Sequence, residues 1–520
     1  MYLGSRDMGY RMAGMRVDRP MLAGMVLILA GLVATSYGLL PSLTRQRPPM
    51  AALQVRALDD AKLSRAHVGL LLVMAAAVTI DVMKPVTLSF VVPGVGKEYG
   101  LKSALNPQGD VPVALLPLAG ITGTVLGSFL WGWLGDRIGR RASILLAGVL
   151  FIATSICGSM PDYRWNFFMC FVMGLGVGGM LPITFALMAE VIPARHRGWL
   201  MVLIGGDVAG AYIIVSWLAG ALTPTYSWRI LWLLGLPTGV LLLLLNRWIP
   251  ESPRFLIQNG RDAEARAVMG RYGVKVVEDH SDLEVEAEVH SGWAQLLKGR
   301  FLGLSSVVCL FGLGVGLVTF GFQLWIPSNL QKLGLSEVSS ASVLRDSALL
   351  GFPATFLIAW LYGFWSSKKT MILLGLITAA SLACFVALGD RVVDNRLRLD
   401  LLLVLPITGI SSILAVLIAY ASETFPTRIR SRGTGLAAGA SKLGGVAIIA
   451  LVVAGTTPPS ISRTALIGAV PLVAGAIAMA IAGIETRHRR LEDITAEELS
   501  LTRAPSGAWV EIEHPVGTGS

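Results

Sequence analysis

WGWLGDRIGRRASILLAG, residues 131–148, sets Asp136, Arg137, Arg140 and Arg141 between two apolar runs, with Gly132, Gly135 and Gly139 spaced through the break. The runs on either side continue far beyond the quoted stretch. A helix needs roughly 20 mostly apolar residues to cross the hydrocarbon of a bilayer. The break therefore reads as a tight turn at a membrane surface, joining two spans. Composition agrees: of 520 residues, 54% are hydrophobic and only 15% are charged, against about 25% charged in an average soluble domain. Mean hydropathy is +0.66.

Working outward from that break, twelve apolar spans follow residue 67, at approximately 68–93, 112–134, 142–160, 164–188, 199–221, 229–248, 302–325, 341–364, 370–388, 401–421, 434–455 and 463–484. They are too long for barrel strands and do not alternate polar with apolar residues. Lys and Arg divide unevenly between alternate loops, 22 on the side of the 135–141 turn and 9 on the other. The positive-inside rule then places that turn, the 249–301 loop and the C-terminus in the cytoplasm. An earlier run, residues 21–40, is also long enough to span. It is either a thirteenth helix with an outside N-terminus, a by-product of an upstream start with Met50 as the true first residue, or a cleaved signal peptide.

The polar 249–301 loop divides the spans six and six, and its GRDAEARAVMGRYG stretch reads as a short amphipathic helix. The expected domains are an N-terminal extension (1–67), a first six-helix bundle (68–248), the cytoplasmic linker (249–301), a second bundle (302–484) and a cytoplasmic tail (485–520). The halves echo each other. AEVIPARHRG (189–198) and SETFPTRIRS (422–431) superimpose at a shift of 233, matching Glu190 to Glu423, Pro193 to Pro426, Arg195 to Arg428 and Arg197 to Arg430. YGFWSSKKTMILLG (362–375) is a weaker echo of the opening stretch, with Lys368 and Lys369 in place of Arg140 and Arg141. A repeated six-helix unit is what a rocking transporter requires, with its site between the repeats near the midplane.

GWLGDRIGRR (132–141) resembles the loop signature of the major facilitator superfamily. PESPRFL (250–256) and ETRHRRLEDI (485–494) resemble signatures of its sugar-porter, organic-ion and metabolite:proton symporter branches. The resemblance covers about residues 65–500. It implies an all-α membrane protein, a 12-helix fold of two six-helix bundles, here with an extra N-terminal helix. It further implies a cytoplasmic gate in which Asp136 binds near the start of span eleven. Arg140 and Arg141 would pair with acids such as Glu190, and Glu423 with Arg428 or Arg430. Gly132, Arg137, Gly139, Arg195, Arg197, Glu251 and Arg254 complete the gate motifs. Related metabolite porters carry an Arg where this chain has Cys170, and an acid where it has Met180, so no substrate follows from those positions.

An ionisable residue within a span is costly and reads as functional by default. Asp81 and Lys84 stand at i, i+3 on span one, which places them on one face. Asp207 lies on span five, Arg345 and Asp346 near the outer end of span eight, and Lys442 on span eleven. The implied fold lines its cavity with spans one, four, seven and ten and packs span five on span eight, so an Asp207–Arg345 pair is expected. Asp81 is the expected proton carrier, since a carboxylate in a drying cavity can load and release protons near neutral pH. Lys442 and Lys84 would attract an anionic substrate group. The alternative is a set of ion pairs that only hold helices together. Thr184, Phe320, Gln323, Trp325, Thr408, Ser411 and Ser412 are further candidates on cavity spans, although Ser and Thr in such helices often bond their own backbone.

No GxxxxGK[ST] loop occurs, and GLGVGG (174–179) sits inside a span, where it serves helix packing rather than a nucleotide. The four cysteines form no CxxC pair and the six histidines are scattered outside the spans, so no metal or other cofactor and no enzyme active site is expected. The net charge of +10 is spread between spans rather than gathered on one face, which argues against nucleic acid. The expectation is a monomeric secondary transporter in the cytoplasmic membrane, moving a small organic acid or sugar-like metabolite by proton symport. A ligand-binding sensor of the same fold and an exporter are the competing readings. The antiporter signature G-x-x-x-G-P is absent from span five, which favours import.

Overall fold

Apolar runs of this length fold as helices because hydrocarbon offers no partner for a free N–H or C=O. A computed structural model describes residues 2–39, 62–103, 105–273, 296–297, 300–425, 427–455, 460–486, 501–503 and 509–511. Among these, twelve helices are long and apolar enough to cross a membrane. They are a leading helix Arg19–Gly38 and spans one (Arg65–Glu98), three (Arg140–Ser159), four (Tyr163–Met188), five (Arg195–Tyr226), six (Arg229–Trp248), seven (Phe301–Lys332), eight (Glu337–Trp365), nine (Ser367–Asp394), ten (Arg396–Thr424), eleven (Arg432–Gly455) and twelve (Ile461–Ala482). Span two is Leu115–Ile138, with a shorter apolar core. Every expected span is matched, and residues 21–39 of the earlier run do form a helix, almost wholly uncovered by the rest of the chain. The linker holds two short helices, Pro253–Gln258 and Asp262–Arg271, the latter within the expected amphipathic stretch. In the tail, Leu501–Arg503 and Trp509–Glu511 pair as two short antiparallel strands.

Several spans are interrupted near mid-depth. Span four stops at Val177 and resumes at Met180 across Gly178 and Gly179. Span five breaks at Asp207. Span seven passes through a π-helical stretch at Val318–Phe322, and span ten through one at Leu405–Gly409, which contains Pro406. Such breaks free backbone carbonyls, and in a bilayer they persist only where protein or a cavity covers them. Between the halves, span two packs on eleven, five on eight and ten, and one on seven.

Residues 2–15 lie across the end of the first bundle opposite the Gly132–Arg141 turn. Tyr2 stacks on Tyr10 (4.8 Å) and donates to the Tyr226 carbonyl (2.6 Å), and Met12 is fully buried. Burial among these rings pushes the Tyr2 phenol up to about 12. The Met12 and Ala13 amides donate to Glu98 Oε1 at 2.8 and 3.1 Å. This strap leads directly into the helix Arg19–Gly38, which packs along span three.

Candidate functional site

Asp81 sits in the middle of span one, 3% exposed, and its Oδ2 has no hydrogen-bond partner. Lys442, on span eleven of the opposite half, lies within electrostatic reach of it. The ammonium donates to Ser128 Oγ on span two and, at 2.8 Å, to the Gly178 carbonyl at the break of span four. Ser128 Oγ also donates to that carbonyl, at 2.7 Å. A cation from one half is thus seated on a broken helix of the other, beside a buried acid.

Lys84 goes elsewhere, and the expectation that it shares the Asp81 environment is corrected. Its ammonium lies 4.6 Å from the Phe151 ring centroid and 5.5 Å from that of Trp232, and donates to Ser155 Oγ at 3.3 Å. These groups belong to spans three and six. Residues three apart on a helix differ by about 60° in direction, enough for facing helices to draw the pair into different environments. A small pocket of about 10 Å³ adjoins the amine, lined mainly by apolar side chains of spans one, five and six.

The Asp207–Arg345 pair is also corrected. Asp207 accepts from Thr79 Oγ1 of span one. Arg345 is held by its neighbour Asp346 (2.7 Å), which also binds Arg396 (2.8 Å), itself 3.5 Å from Asp400. This chain of ions is partly exposed at the end of span eight, where water and short range favour the adjacent acid over one deep in span five.

Gln323 bridges the halves. Its amide donates to the Pro406 carbonyl, freed by the π-helical stretch of span ten, and its Oε1 accepts from Tyr212 of span five at 3.4 Å. Phe320 packs where a side chain on Gly445 of span eleven would stand. Trp325 is fully buried and its Nε1 has no partner. Thr184 and Ser412 also carry unpartnered buried hydroxyls. Thr408 does too, facing Gly351 of span eight, whereas Ser411 bonds the Ile407 carbonyl at 2.9 Å. Spans one, four, seven and ten therefore carry buried polar atoms left without internal partners, a state that costs free energy and suits a polar ligand.

At the Gly132–Arg141 end, Gly139 takes a left-handed φ of +99° and joins spans two and three. Glu251 of the linker docks there. Its Oε1 accepts from the Arg140, Arg141 and Ser252 amides at 2.7, 3.4 and 3.0 Å. It caps span three, where the helix dipole favours an anion. Burial nonetheless holds its carboxyl above the ordinary range, with the amides and the Arg140 charge opposing. Arg140 lies 3.8 Å from Glu190, as expected, and Glu190 also accepts from Ser252 Oγ. Glu423 accepts from Tyr362 OH (2.6 Å) and Thr486 Oγ1 (2.7 Å), and lies within reach of Arg197. Arg197 bonds the Ile192 carbonyl and Arg195 is exposed. Gly132 and the side chains of Asp136, Arg137, Arg254, Arg428 and Arg430 lie outside the described residues, so the expected partners of Asp136 and Glu423 among them are not described.

Glu485 repeats the Glu251 arrangement in the second half. It accepts from the Ser367 amide at 3.0 Å at the start of span nine. Glu251 and Glu485 are thus structural counterparts, which sequence reasoning missed. It also missed the ion pair between Glu98 and Arg229 (2.7 Å), whose guanidinium is fully buried and also donates to the Met160 carbonyl at 2.7 Å. The only signal was a polar residue at each of two neighbouring span ends.

Two repeats of broken helices, meeting at mid-depth with Asp81 and Lys442 in electrostatic reach of each other, define a polytopic membrane transporter fold. The chain belongs to the sugar (and other) transporter family, whose model matches residues 91–497. It is 26% identical over 446 residues to the niacin transporter NiaP of Acinetobacter baylyi, covering 85% of this chain and 99% of that one. It is 31% identical to the inner membrane metabolite transport protein YgcS of Escherichia coli, covering 62% of this chain and 72% of the relative. Among solved structures, the proton:xylose symporter XylE bound to 6-bromo-6-deoxy-D-glucose superimposes with a TM-score of 0.67 at 18% identity, covering 83% of this chain and 98% of that one. The protein is a major facilitator superfamily transporter of small metabolites, with many membrane passes.

Proposed function

We propose that the protein is a proton-coupled symporter that takes up a small organic acid, or a similarly polar metabolite, across the cytoplasmic membrane by alternating access. The observation that carries this reading is the Asp81–Lys442 arrangement. With Asp81 protonated, Lys442 keeps the Ser128 and Gly178 ligands that tie the halves together. With Asp81 ionised, the carboxylate competes for the ammonium, and the ties to spans two and four loosen. An anionic substrate group entering between the halves would compete in the same way. Substrate and proton thereby act on one cation. Gln323, Trp325, Thr184 and Ser412 supply the remaining polar contacts, and Phe320 an apolar wall. Two relatives with names in the same class, one for niacin and one for metabolites, support a small polar cargo.

The gate at the Gly132–Arg141 end faces the cytoplasm in this reading, with Glu251–Arg140–Glu190 latching the first half and Glu423 with Arg197 closing across to it. The test is uptake into proteoliposomes under an imposed proton gradient. Gradient-driven accumulation of a candidate acid is expected. Equal accumulation with and without the gradient would refute coupling, and absence of transport for every candidate that shifts the melting temperature would point to a sensor.

A further inference from the structure

We infer that the chain holds an anionic phospholipid headgroup, of the phosphatidylglycerol class, in the groove between spans nine and twelve at the Gly132–Arg141 end. The groove measures about 740 Å³, and Lys368, Lys369 and Trp365 stand along one side of it. The internal repeat explains why it is electropositive. In the first half, span three opens on Arg140 and Arg141, with Glu251 capping the amides and Glu190 within 3.8 Å of Arg140. In the second half, span nine opens on Ser367, Lys368 and Lys369, with Glu485 capping the Ser367 amide. The counterpart of Glu190 is Glu423, but its Oε2 is taken up by Tyr362 and Thr486. Among the described residues neither lysine has an ion pair, and Lys369 only overlies the Trp365 ring at 5.9 Å.

Two cations in a helix's first turn are the reverse of what the dipole favours. Among the described residues the acid at this helix start is Glu485, which accepts from Ser366 and Ser367 and forms no ion pair with either lysine, whereas the membrane surface supplies anions. The groove continues past the lysines to Ile372 and Ala480. Beside it, Leu373, Leu376, Ile477 and Ile481 are exposed apolar side chains on spans nine and twelve. An acyl chain therefore has an apolar path leading away from the lysines. Glu485 also lines the groove, where its carboxylate would repel a polyanion. A headgroup with one phosphate and free hydroxyls suits this set best: phosphate on the lysines, hydroxyls on Glu485.

The test measures lipid retention on the full-length protein by native mass spectrometry from mixed micelles of phosphatidylglycerol and phosphatidylcholine. Preferential retention of phosphatidylglycerol is expected, falling by roughly fivefold for each of Lys368→Gln and Lys369→Gln. Lys368→Arg with Lys369→Arg should restore it. Ile372→Trp, which fills the apolar path and leaves the charge intact, should also lower it. Equal retention of the two lipids, or unchanged preference in the Gln variants, overturns the proposal. So does displacement of the lipid by millimolar glycerol phosphate, which would make the occupant a soluble anion.

Discussion

At Asp81 a carboxylate oxygen is buried in the middle of a bilayer span without a hydrogen bond. Such burial is costly and marks the group as functional by default, and in the proposed mechanism its function is to change state. Asp81→Asn keeps the shape and removes the proton, so proteoliposomes carrying it should lose gradient-driven accumulation and keep substrate exchange. Loss of both, in a variant that still melts cooperatively, would give Asp81 a different role. Lys84 illustrates the opposite solution: aromatic faces and a hydroxyl replace a counter-ion. Its seat depends on Gly235, whose missing side chain would overlap the Lys84 amine and Ser155 Oγ. Gly235→Ala should destabilise the protein by about 1–3 kcal/mol in denaturant or thermal unfolding. Arg229→Met strips Glu98 of its ion pair and should cost about 3–5 kcal/mol in the same measurement.

Among elements, the linker's hold on span three makes the next prediction. Burial raises the Glu251 carboxyl above its ordinary value. The folded chain then binds this proton more tightly than the unfolded chain does. The stabilisation linked to it is complete below the unfolded value and is lost as pH rises through the folded one. Melting temperature should therefore carry a component that falls as pH rises above the ordinary carboxylate range, and Glu251→Gln should remove that component. The spans themselves were legible in the sequence, because hydrocarbon imposes a length that apolar runs report directly. Their interruptions at Gly178, Asp207 and Pro406 were less so, since a break depends on what covers the freed carbonyls. For the charges within the spans, the sequence did not reveal the pairing. Asp81 and Lys442 come together, whereas Arg345 takes Asp346 and Lys84 takes Phe151 and Trp232. Hydropathy counts charges, and partners are chosen by helix rotation, which a single sequence does not encode locally.

For the whole molecule, the contact of the two halves at the Gly132–Arg141 end turns on small residues. A side chain on Gly198 would overlap Glu423 Oε1 and stand 3.0 Å from Tyr362, and Gly363 receives Trp199 in the same way. Gly198→Ala should hold that end apart. Thiol-reactive probes should then label a cysteine placed at Thr424 several times faster than in the parent, and unchanged labelling would show that the halves close elsewhere. The strap at the opposite end bears on topology. An epitope fused ahead of Tyr2 should be reached by antibody on intact spheroplasts, and one at the C-terminus only after permeabilisation. Deleting residues 1–15 would remove the brace altogether, leaving Glu98 without the two amides that hold it from that side. The far rim of the first bundle would then lose its stitching, and amide exchange at Glu98 and Tyr99 should quicken.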